Sequence, residues 1–147
     1  MIVSGLTELK SVLSHFLIPI VDFGIMVLIW IIQLVVYPGF MYFNAKSLLP
    51  WHNQYTFRIS LIVVPLMFTQ LGLYLYGILQ SPPVWLIVNL VMVAGCWIIT
   101  FGWASPLHSK IATGYNQKKY ILDLIRINWV RTGLWSFISI LSLIGSY

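Results

Sequence analysis

Residues 59–109 read ISLIVVPLMFTQLGLYLYGILQSPPVWLIVNLVMVAGCWIITFGWASPLHS and contain no Asp, Glu, Lys or Arg. The run is too long for one membrane crossing and is broken once, at Gln80-Ser81-Pro82-Pro83. Proline has no backbone N–H to donate and drives the residue before it out of the helical region, so the break predicts a tight turn between two helices. About 20 apolar residues let a helix cross a hydrocarbon core of roughly 30 Å. The pieces flanking the turn, 58–79 and 84–104, meet that length, and so do two further stretches, 16–37 and 128–145. These spans take up most of the chain. The expected fold is all-α, a polytopic membrane four-helix bundle forming a single domain over residues 1–147.

Composition agrees. Of 147 residues, 60% are hydrophobic and only 7% charged, where an average soluble domain devotes roughly a quarter to charge. So few charges exclude an ordinary soluble enzyme, and so much apolar surface excludes a disordered chain. The segment before the first span holds one Lys and one Glu, and no small-residue cleavage site follows the apolar run, so the first span reads as a retained helix rather than a signal peptide. Residues 1–14 read as a short interfacial segment or tail.

Every Lys and Arg except Lys10 falls in the loop between spans one and two, in the loop between spans three and four, or in the adjoining ends of spans two and four. The Pro-Pro turn and the carboxyl terminus hold none. The positive-inside rule then makes both long loops cytoplasmic and both termini external. The pI of 9.5 reads as topology plus attraction to anionic headgroups, with membrane lipids as partners and no nucleic acid. Residues 42–55, with Asn44, Pro50, Trp51 and His52, read as chain lying at headgroup level. In residues 116–127, Tyr120, Leu124 and Ile127 share a face, which predicts a cytoplasmic interfacial amphipathic helix between spans three and four. Asp123 and Arg126, three residues apart there, can pair locally.

Polar side chains inside apolar spans are expensive in lipid and normally turn to the bundle interior. In span one, His15, Asp22, Ile29 and Gln33 fall on one helical stripe. Asp22 is the only acid within a span, and Pro19, one turn earlier, leaves a carbonyl that a neutral Asp22 could reach. Span two places Arg58, Pro65, Thr69 and Tyr76 on one face with Gln70 beside them; span three places Asn89, Cys96, Thr100 and Trp103 on another. Span four carries the longest stripe: Asn128, Arg131, Thr132, Trp135, Ser139, Ser142 and Ser146. Small hydroxyl residues there also serve close helix packing. Arg131, one turn inside the span as read, either anchors a guest or snorkels to phosphate headgroups. With the seams turned inward, His52, Tyr55, Arg58, Trp103, His108, Asn128 and Arg131 gather toward the cytoplasmic side, and Trp135 lines the apolar part of a pocket there.

Known catalytic signatures are missing: there is no nucleophile elbow, P-loop, dinucleotide fingerprint or carboxylate pair. His15, His52 and His108 lack metal-ligand spacing, so no metal site is expected and a haem is disfavoured, leaving any cofactor unknown. Cys96 is alone, which rules out an intramolecular disulfide, and reads as a small buried hydrophobe.

Pro106-Leu107-His108, Lys110-Ile111-Ala112 and Asn128-Trp129-Val130-Arg131-Thr132 resemble the pattern of a broad, mostly uncharacterised family of small four-helix bacterial membrane proteins. A Pro-Leu-polar segment after span three and an Asn-x-x-Arg-Thr opening to span four mark that family. It includes the anthrone-oxygenase-like proteins, and the resemblance, over the last 45 residues or so, implies oxygenation of aromatic polyketides without a bound metal. Relatives usually have Asn where this chain has His108. The first two spans, with Tyr37-Pro38-Gly39-Phe40 and Arg58 to Gln70, look more like an uncharacterised bacterial relative.

Two functional classes follow. One is a binder or enzyme for a lipophilic small molecule, such as a quinone, an aromatic metabolite or a lipid, with an oxidoreductase role included. The other is a non-enzymatic structural or accessory subunit of a membrane complex or homo-oligomer. An ion or proton path through Asp22 and Gln70 is weaker, because a single acid gives no relay.

Overall fold

The computed structural model describes residues 12, 16–79 and 81–146, and among these there is no strand. Four helices account for nearly all of them: α1 (Ile18–Tyr42), α2 (Ala45–Ile78), α3 (Val84–Ala112) and α4 (Gln117–Gly145). Each is long and apolar enough to cross a membrane. The helices run up and down in sequence order. α1 packs on α2 and α4, and α3 packs on α2 and α4, so the bundle closes as a ring.

The connections are short, and their residues explain why. Asn44 caps α2, its side-chain oxygen accepting the backbone N–H of Ser47 at 2.9 Å. Helix therefore begins at Ala45, and residues 45–55, expected to lie along the headgroups, are instead the first turns of α2. Ser81, at φ 57°, and the extended Pro83 turn the chain from α2 into α3. Gly77 lets the two helices meet there, since a Cβ at that position would stand 2.8 Å from Leu86 Cδ1. Between α3 and α4 the chain reverses over Thr113 to Asn116, using positive φ at Gly114 and Asn116. The Gln117 side chain then donates back to the Ile111 carbonyl at 3.2 Å.

The helix expected over 116–127 runs straight into the fourth span as one element. Residues 117–127 are the opening turns of α4, with Gln117, Ile121 and Leu124 on the buried face. Tyr120 and Ile127, expected on that face, are half-buried at its edge. The exposed pair Asp123–Arg126 does form, at 3.6 Å. α4 has 29 residues, and Arg131 stands at its midpoint.

Two helices carry a widened turn. In α1 the Tyr37 N–H donates to the Ile32 carbonyl, and in α3 the Ser105 N–H donates to the Thr100 carbonyl, five residues back in each case. Both wide turns, Ile32–Val36 and Thr100–Ala104, end two residues before a proline, Pro38 or Pro106. A proline ring in an ordinary α-helix collides with the carbonyl four residues earlier, here that of Leu34 or Gly102. The added residue in the turn relieves that collision, and such π-turns recur at functional sites.

The buried apolar residues split into two groups, one from Ile18 to Ile138 toward the Pro-Pro turn and one around Tyr37, Phe40, Ile111 and Leu124 at the other end. Buried polar side chains run through the first group and on to the second.

Candidate functional site

Toward the Pro-Pro end, the buried polar residues of all four helices close on one another. Asp22 Oδ1 accepts from Gln70 Nε2 and Oδ2 from the Tyr74 hydroxyl, both at 2.7 Å. Asn89 Nδ2 donates to the Tyr74 oxygen at 2.9 Å and to the Ile138 carbonyl at 3.0 Å. Asp22 thus finds side-chain partners on α2; the carbonyl freed by Pro19 belongs to His15, outside the described residues. The inward face of α2 is Met67, Gln70 and Tyr74, while Arg58, Pro65 and Thr69 of the expected face are exposed. Tyr74 was the missing member, and its spacing of one turn from Gln70 was the signal for it.

Further along, Asn128 Nδ2 donates to Gln33 Oε1 at 2.7 Å and Asn128 Oδ1 accepts from Arg131 Nη1 at 3.0 Å. The guanidinium lies 5.1 Å from the centre of the Trp135 ring. Trp135 Nε1 reaches Gln70 Oε1 at 3.3 Å, so one indole joins the two polar groups. Beyond Arg131, the Tyr37 hydroxyl is 3.0 Å from His108 Nε2, and His108 Nδ1 is 2.9 Å from His52 Nε2. The outer nitrogen of this chain, His52 Nδ1, is buried without a partner.

A cavity of about 240 Å³ opens beside these groups. Tyr37, His108 and Arg131 form its polar wall, with Ile32, Thr100 and Ala104 of the two wide turns and Met67 as its apolar lining. Its mouth lies between α2 and α3, where Ser60 and Val64 face Phe101 and Ser105. Val64 and Phe101 are 43% and 58% exposed. The cavity therefore opens sideways through the helix wall. At that volume it exceeds the roughly 150 Å³ that accommodates benzene, so it suits a ring-sized group.

The residues singled out by sequence divide accordingly. Arg131 and His108 line the cavity, His52 and Asn128 stand behind them, and Trp135 supports Arg131. Arg58 and Trp103 do not belong to the site, because both are exposed on the outside of the bundle. For Trp103 the cause is local: the wide turn adds a residue to the helical period, so Ala104 takes the inward position that a regular α-helix would give to Trp103. Asp22, Gln33, Gln70 and Asn89 are all buried. His15 lies outside the described residues. Tyr37, which sequence reasoning passed over, sits one turn after Gln33 on the same stripe.

No group of three or more His, Cys, Asp or Glu among the described residues is placed to hold a metal. The nitrogens of His52 and His108 that approach one another are occupied by their mutual hydrogen bond. Comparison with known proteins gives no match: no family model, no curated protein and no solved structure aligns with this chain.

Proposed function

We propose that this chain is an integral protein of the bacterial cytoplasmic membrane, with both termini outside, that takes a lipophilic small molecule sideways from the bilayer. Candidate guests are a quinone, an aromatic metabolite or a lipid. The observation that carries the reading is the cavity itself: an apolar slot between α2 and α3 ends on Tyr37, His108 and Arg131. A buried polar wall at the end of a lipid-facing slot suits a guest with an apolar body and a polar tip. Its placement between two wide turns adds support, since the extra residues that set Tyr37 and His108 in register occur there.

The orientation rests on the cations. Lys46, Lys110, Lys118 and Lys119 gather at the end of the bundle where α1 meets α2 and α3 meets α4, which the positive-inside rule makes cytoplasmic. The polar wall lies toward that end. Oxidoreductase chemistry on the guest is the activity suggested by the anthrone-oxygenase-like pattern at Asn128 to Thr132, and the Tyr37–His108–His52 chain supplies groups able to donate and accept a proton at its edge.

Native mass spectrometry of the protein purified in mild detergent tests the reading. An organic guest should accompany the wild-type chain and be lost from Arg131→Ala, with the elution volume of the protein unchanged. A guest-free chain in stoichiometric association with other membrane proteins would overturn the proposal in favour of an accessory subunit.

A further inference from the structure

Arg131 carries a charge that has no opposite charge beside it among the described residues. The side chain is 5% exposed and sits at the midpoint of α4, about 20 Å from either helix end at 1.5 Å per residue. Its burial turns the side chain into the bundle rather than out to the surface. Among the described residues the only ion pair is the exposed Asp123–Arg126, and the cavity wall contains no Asp or Glu. Arg131 has one hydrogen bond, from Nη1 to the neutral Asn128, while its Nε–H is buried with no partner. Trp135 offers a ring face, which attracts the cation without cancelling its charge. A guanidinium stays charged, and a buried charge persists where it is paired.

We infer that the guest of this cavity carries an anionic head group, a carboxylate or a phosphate, on an apolar tail, and that Arg131 is its counter-ion. The head group sits against Arg131 with Tyr37 and His108 beside it, and the tail leaves between Val64 and Phe101 into lipid. A guanidinium offers planar N–H donors that match the oxygens of either head group, and the buried Nε–H has no hydrogen-bond partner among the described residues. The inference rests on the lateral-cavity reading above, and narrows its guest to an amphiphilic anion.

The test compares matched probes on guest-depleted protein in dodecylmaltoside: palmitate against hexadecanol, and dioleoyl phosphatidate against dioleoylglycerol. Charge-assisted hydrogen bonds predict that at least one anion binds about 10- to 100-fold more tightly than its neutral partner. Preference within the first pair alone identifies a carboxylate, and within the second alone a phosphate. Arg131→Gln should abolish the preference of anion over neutral partner, while Arg131→Lys should keep part of it. Should Arg131→Gln fail to fold, the matched pairs on wild-type protein decide the matter. Equal affinity for anions and neutral partners would overturn the anionic guest while leaving the cavity as a binding site. Failure of all four probes to bind would overturn the cavity reading itself.

Discussion

Replacing Tyr74 by Phe removes one oxygen from the middle of the buried network and little else. That oxygen donates to Asp22 Oδ2 at 2.7 Å and accepts from Asn89 Nδ2 at 2.9 Å. After the change Asn89 still donates to the Ile138 carbonyl and Asp22 Oδ1 still accepts from Gln70, so the loss falls on Asp22 Oδ2, with the Ser142 hydroxyl close by. Asp22, Tyr74 and Asn89 are fully buried, and no solvent is at hand to replace the lost partner. A hydrogen bond to a charged group contributes about 1.5–3 kcal/mol and a neutral one about 0.5–1.5 kcal/mol in water-soluble proteins. Bonds between membrane helices average nearer 0.6 kcal/mol, because the unfolded chain in the membrane also finds partners. Two bonds bracketed by these figures give a destabilisation of about 1 to 4 kcal/mol. Unfolding in mixed micelles of rising SDS fraction, followed by tryptophan fluorescence, measures it. Tyr76→Phe, in the next half-turn and half-buried, is the matched control and should change stability by less than about 0.5 kcal/mol. A cycle with Asp22→Asn should show coupling above about 0.5 kcal/mol, since the two groups touch. Equal stability of the Tyr74→Phe and Tyr76→Phe proteins would refute the claim that this network ties α1, α2 and α3 together.

Two further outcomes concern the cavity. Pro106→Ala removes the ring that excludes a regular turn at Gly102, and closing that turn would swing His108 by about 100°, the rotation per residue of an α-helix. Helical circular dichroism should persist while guest retention falls, and full retention would show that the wide turn does not set the position of His108. Arg58→Gln and Trp103→Leu, both on the outer surface, should retain the guest as well as wild-type protein does in native mass spectrometry. Loss of the guest from either would place the binding surface outside the bundle.

How far the sequence carries depends on what each residue has to satisfy. Four helices long and apolar enough to cross a membrane, the Pro-Pro turn and the burial of the α4 stripe follow from composition and period alone, because a charge-poor chain has few ways to hide its polar groups. Arg58 and Trp103 show where period fails. On α2 the inward face is set by Tyr74 and Gln70 seeking Asp22, a partner 48 to 52 residues away, and this turns Arg58 out. On α3 the wide turn before Pro106 shifts the register, and no count of 3.6 anticipates it. Helix ends escaped for a related reason. Amphipathic segments such as 117–127 read alike whether they lie on a membrane or extend a bundle, and the neighbours decide between the two.

What this chain determined by itself is that it is helical, apolar and crossed by a few polar stripes, since those properties belong to single residues and their spacing. Only the assembled bundle decided which stripes meet, leaving Asp22 enclosed by partners and Arg131 beside a cavity with no counter-charge among the described residues. A hydrogen bond across helices requires two side chains from distant segments to arrive at one depth, and that depth is a property of packing.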